Sequence, residues 1–215
     1  MKTNKTKSKQ NWSDQQIQWV KGLTKNKYSL QILILFNFVW SIASLFADWN
    51  WFSQIPIELV PLTAICSLYP PLLTIWYFIK YNGKTPPGWL TFWIFVGITS
   101  YGIMAQIYFP LLMSWKGVNF HSLGSMFWVA FYGLQAFIIF DYLKPLKIYQ
   151  YLIFLGYFIL VDSMHYFYPT FVDFTLPGYP IWIRDLTAQM MISLQILSII
   201  TALVIMKKKH HKNLI

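Results

Sequence analysis

Charged residues are scarce in this sequence. Asp, Glu, Lys and Arg together supply 11% of its 215 residues, less than half of the roughly 25% carried by soluble globular domains. A chain this poor in charge cannot cover a water-facing surface, which excludes an ordinary soluble domain. Acidic residues number only seven, and Arg184 is the sole arginine. Cysteine is nearly absent too: the lone Cys66 excludes an internal disulfide and any CxxC or zinc-finger spacing. Its place inside an apolar run reads as a small packing residue. HExxH, GxSxG, a phosphate-cradling glycine loop and a dinucleotide fingerprint are all missing, so no established catalytic motif is present.

What the sequence has instead is apolar length. Hydrophobic residues make up 56% and aromatic residues 20%, gathered in blocks separated by short polar stretches. Six candidate spans emerge, at 29–47, 57–80, 89–114, 121–143, 148–168 and 182–206. Each is near or above the ~20 residues needed to cross ~30 Å of hydrocarbon. The connectors carry the expected breakers: Asn82-Gly83, Pro86-Pro87-Gly88, Lys116-Gly117 and Pro177-Gly178-Tyr179-Pro180. Lys144-Pro145 divides the stretch 120–168, which is too long for one span. The expected fold is all-α, a polytopic membrane bundle of about six transmembrane helices.

The formal charge of +10 would suggest nucleic acid as a partner for a soluble protein. Here the lysines sit at the ends of apolar blocks, where they set orientation, and no nucleic-acid partner is expected. Seven lysines precede Tyr28, Lys80 and Lys84 follow the second block, Lys144 and Lys147 follow the fourth, and four lysines close the chain. Only Lys116 and Arg184 fall at the alternate ends. A split of fifteen to two predicts six spans with both termini in the cytoplasm. Trp49, Trp51, Phe52, Trp89, Trp93, Trp115 and Trp182 lie near block ends, as interfacial rings do.

The organisation that follows is a basic cytoplasmic segment 1–28, a transmembrane domain 29–206 and a basic cytoplasmic tail 207–215. The first apolar block exceeds the 7–15 residues typical of a signal-peptide core, so a retained helix is expected. Ser13 and Gln16 have capping-box spacing. Trp12, Ile17, Val20 and Leu23 can edge a short helix on the membrane surface, and a plain cytosolic stub is the alternative. The expected partners are the lipid bilayer and, at the basic termini, anionic headgroups. The expected location is the cell membrane, the plasma membrane for a bacterial source.

Polar residues inside the apolar blocks are the candidates for function. Counted at 1.5 Å per residue from the cytoplasmic lysine of each helix, Glu58, His121 and Arg184 lie ~33–34 Å away, at the outer interface with Asp185. Asp162 lies at ~22 Å, inside the outer leaflet. Asp162 and His165 share a face at i, i+3. His121, Ser125, Trp128, Tyr132 and Gln135 form a stripe on the fourth helix, and Thr99, Gly102 and Gln106 one on the third. Asp185 and Gln189 are i, i+4 on the sixth. The pocket candidates are Glu58, Gln106, His121, Asp162, His165, Arg184 and Asp185.

Three readings compete for this set. Asp162 pairs with Arg184 or His165 as interhelical glue. Alternatively, His121, Asp162 and His165, with Glu58 or Asp185, bind a divalent metal. In the third, the same groups relay protons or bind a solute in a small transporter. A joint site for His121, Asp162 and His165 requires the fourth and fifth helices to pack together, as their short Lys-Pro connector suggests.

Ile98-Thr99-Ser100-Tyr101-Gly102-Ile103, His121-Ser122-Leu123-Gly124 and Asp162-Ser163-Met164-His165-Tyr166 resemble the YpjA-type integral membrane proteins of bacteria, over about residues 88–176. That family has a Lys where Ser100 stands, an Asn at Val161 and a second Asp at His165. The resemblance implies a similar bundle with polar positions at His121, Asp162 and His165, and it supplies no activity. The leading expectation is a non-enzymatic membrane protein with an outward-facing polar pocket, a small-solute or ion binding or transport component. The alternatives are a metal-dependent enzyme acting at the outer leaflet and a structural membrane protein.

Overall fold

The structure is a computed structural model that describes residues 18–20, 22–47, 49, 53, 65–166 and 178–212, with the side chains of Ala47, Ile65, Cys66, His121 and of 208–212 outside that description. Glu58 and the Ser13–Gln16 capping box also lie outside the described residues. The described chain is all-helical and contains no strand. Six long helices succeed one another: α1 (Lys27–Ala47), α2 (Ile65–Tyr81), α3 (Gly88–Lys116), α4 (Phe120–Ile139), α5 (Ile148–Tyr166) and α6 (Ile181–Lys212). A 3-10 turn, Phe140–Tyr142, closes α4. Residues 18–20 and 22–23, within the proposed surface helix, are helical.

Four of these helices are long and apolar enough to cross a membrane: α1, α3, α4 with its terminal turn, and α6. The other two fall short for identifiable reasons. The described part of α2 is 17 residues long and contains Pro70 and Pro71. In α5, four tyrosines, Gln150, Asp162 and His165 dilute the hydropathy of a 19-residue helix.

The centre of the bundle is α3. In its most apolar window 67% of residues are buried, against 28% in each of α1, α4 and α6. Such a helix must be apolar on nearly every side, and Leu90 to Ile98 form a buried run interrupted only by the half-buried Trp93. Trp76, Tyr77 and Leu73 of α2, Tyr132 and Ile139 of α4, Phe158 and Val161 of α5, and Ala202 and Met206 of α6 complete the same core. The outward faces of α1, α4, α5 and α6 carry exposed Leu, Ile, Val and Phe. That pattern suits a lipid solvent and is costly in water.

Backbones meet where α3 crosses α4. A Cβ built on Gly102 would lie 2.5 Å from the Gly133 Cα, and one on Gly133 would lie 2.9 Å from the Gly102 Cα. Close approach through paired glycines is the recurrent means by which apolar helices pack without a hydrophobic driving force. Asn119 caps α4, its side chain accepting the Ser122 N–H at 2.8 Å.

One expected neighbour relation is corrected. The principal partner of α4 is α3, with α2 beside it and α1 meeting it through side chains such as Trp40 on Trp128. Helix α5 rests on α6 and, through rings, on α3, where Phe92 meets Tyr151 and Trp93 meets Tyr157 at centroid distances of 5.2 and 5.3 Å. The connector explains this. Lys144 and Leu146 lie against Gly88 at the start of α3, so the short link passes under that helix end and delivers α5 to its far side.

Candidate functional site

Helix α5 turns a narrow stripe inward: Phe158, Val161, Asp162 and His165 are its buried residues. Half of that stripe is polar. Asp162 is 3% exposed and His165 7%, as their shared i, i+3 face requires. From α6, Gln195, itself 5% exposed, donates its amide Nε2 to Asp162 Oδ1 at 3.1 Å. The second carboxylate oxygen, Oδ2, is enclosed and meets no hydrogen-bond partner among the described residues.

Helix α3 supplies the next layer. The Tyr101 hydroxyl is likewise enclosed with no hydrogen-bond partner among the described residues. Tyr69 and Tyr101 pack ring to ring at 5.7 Å. Among the described acidic residues only Asp162 is buried. The one ion pair formed among described side chains, Arg184–Asp185, lies elsewhere. Among the described residues the centre is therefore rich in acceptors and hydroxyls and carries no Lys or Arg. Its chemistry suits a ligand that brings a cation or N–H and O–H donors, because an uncompensated buried carboxylate is costly.

A second interior polar contact joins α1 to α4. Asn37 Nδ2 donates to Gln135 Oε1 at 3.0 Å and Gln135 Nε2 to Asn37 Oδ1 at 3.4 Å. The pair is 0% and 1% exposed, and Asn37 also donates to the Leu33 carbonyl at 2.7 Å. Every strong polar group here is answered by its partner, which marks the pair as structural.

The remaining candidates disperse. Arg184, for which the sequence offers Asp162 or Asp185 as partner, pairs with its neighbour Asp185, its Nε and Nη2 each 3.0 Å from Oδ1. The pair is partly solvent-exposed, at 36% and 51%. Gln106 is exposed and donates to the Met126 carbonyl at 3.1 Å, where it ties α3 to α4. Gln189 also faces outward. Among the described residues no three His, Cys, Asp or Glu side chains are grouped to hold a metal. The proposed metal set depends on His121, whose side chain lies outside the described residues, as does all of Glu58.

Two interior hydrogen-bonding partners, Gln195 and Asn37, were not visible from local pattern. For Gln195 a signal exists. Thr187, Met191, Gln195, Ser198, Ala202 and Met206 recur at helical spacing and are all buried, whereas the Asp185–Gln189 face is turned out. No family profile, curated protein or solved structure matches this chain.

Proposed function

We propose that the chain is a six-span membrane protein with both termini in the cytoplasm, and that the Asp162 centre binds a small cationic or donor-bearing solute as part of a binding or transport component. The observation that carries this reading is the enclosed Asp162 Oδ2, which has no hydrogen-bond partner among the described residues although Gln195 holds the other carboxylate oxygen. Interior polar groups are ordinarily satisfied, so a buried carboxylate with one open oxygen is a place for a further participant. The six-span count rests on the lysine alternation and on α2 and α5 crossing together with the four apolar helices.

The test uses purified full-length protein in detergent with sodium, potassium and methylammonium as probes. One of them should raise the melting temperature of the wild type, and Asp162→Asn should abolish that rise while leaving the fold intact by circular dichroism. Retention of every probe response in Asp162→Asn would overturn the reading. The Gln195–Asp162 bond between α5 and α6 favours interhelical glue as the second reading. It would gain if no probe binds and Asp162→Asn lowers stability alone.

A further inference from the structure

About 21 Å along α5 from Asp162, the bundle has a second polar feature, at the end where α1 begins and α2 and α4 finish. A cleft of about 330 Å³ is lined by Thr24, Lys25, Ile138, Asp141 and Tyr142. Its floor is fixed by a 2.8 Å hydrogen bond between the Thr24 and Tyr142 hydroxyls. The Tyr142 ring is held edge-on by Trp76 at 5.1 Å, and the Lys80 ammonium sits 4.5 Å from its centre. The lining therefore carries both the Lys25 ammonium and the Asp141 carboxylate of the 3-10 turn, while Lys80 is engaged with the Tyr142 ring. Next to the cleft on α4, Leu134 and Phe137 are 60% and 63% exposed, so apolar surface runs directly away from this polar end.

We propose that the cleft holds the head group of an aminophospholipid, its phosphate toward Lys25, its primary amine toward Asp141 and its acyl chains along Leu134 and Phe137. The mixed signs select the head group. A purely anionic lipid would meet the Asp141 carboxylate with nothing to offer it, whereas a phosphate and an ammonium a few ångströms apart match both walls. A carboxylate has about four acceptor sites, so Asp141 can take an amine in addition to a protein partner. The adjoining apolar surface distinguishes a lipid from free phosphate. The inference rests on the membrane reading above and is independent of the role given to Asp162.

Full-length protein in mild detergent would be mixed with equal amounts of phosphatidylethanolamine, phosphatidylcholine and phosphatidylglycerol, and retained lipid counted by native mass spectrometry. Phosphatidylethanolamine should be retained about tenfold over the other two, as one charge-assisted hydrogen bond would give. Lys25→Gln, at an exposed position, should reduce retention about tenfold without unfolding the chain, whereas Lys84→Gln, outside the cleft lining, should leave it unchanged. Asp141→Asn should erase the discrimination between phosphatidylethanolamine and phosphatidylglycerol. Equal retention of all three lipids by the wild type, or discrimination unchanged in these variants, would overturn the proposal. So would displacement of bound lipid by inorganic phosphate alone, which would assign the cleft to a free anion. None of these results bears on probe binding at Asp162, so the two readings fail separately.

Discussion

Asn37 and Gln135 show how polar side chains are used inside an apolar helix bundle. Each amide satisfies the other across α1 and α4, and removing one leaves its partner buried with unmet donors. Asn37→Ala and Gln135→Ala should each destabilise the protein, and the double variant should lose less than the sum. The coupling should be about 0.6–1.7 kcal/mol, the range for hydrogen bonds between membrane helices, read from a double-mutant cycle of unfolding in detergent micelles. Strict additivity would show that the pair does not interact. Arg184 is the opposite case. Its partner is adjacent in sequence and partly solvated, so Arg184→Ala should cost no more than about 1 kcal/mol, and adding Asp162→Asn should rescue nothing. The sequence singled out both Arg184 and Asp162 correctly as unusual, but distance along the chain cannot say which carboxylate an arginine reaches. Gln195 was illegible for a related reason: a lone amide in an apolar run gains meaning only once the facing helix is known to carry Asp162.

Helices themselves were legible almost to the residue. Apolar blocks at 29–47, 89–114 and 148–168 correspond to α1, α3 and α5, and the breakers Gly117 and Pro145 fall where the chain turns. The stripe Trp128, Tyr132 and Gln135 on α4 does face other helices, with Trp128 stacked on Trp40 at 4.3 Å. Neighbour relations were not legible, because a short connector fixes only where a helix starts. Whether it starts on the near or the far side of α3 depends on the room made by Gly88, which has no side chain to block Lys144 and Leu146. The α3–α4 crossing depends on missing side chains in the same way. Gly102→Ala or Gly133→Ala would force a methyl group into opposing backbone, and overpacking of this kind costs about 1–3 kcal/mol. Both variants should lower the melting temperature in detergent, whereas Gly124→Ala and Gly156→Ala, which meet no atom within 4 Å, should not. Equal behaviour of the four alanine variants would show that the crossing is loose.

At the scale of the whole molecule, the lysine distribution predicts an orientation that reporter fusions can read. Fusions after Asn82 and Lys147 should report cytoplasm, and those near Asn119 and Asp173 the opposite side. One inverted position among the four would break the six-span proposal. The Asn37–Gln135 contact also joins residues 98 apart in sequence, and translation gives that separation a duration. At about 5–20 residues per second, the first helix emerges roughly 5–20 s before the fourth can reach it. For that interval the Asn37 amide has no Gln135 to meet, and a chain stalled before residue 135 never supplies one. Until Gln135 arrives, Asn37 has only the Leu33 carbonyl of its own helix to bond, so the α1–α4 contact is completed late in synthesis.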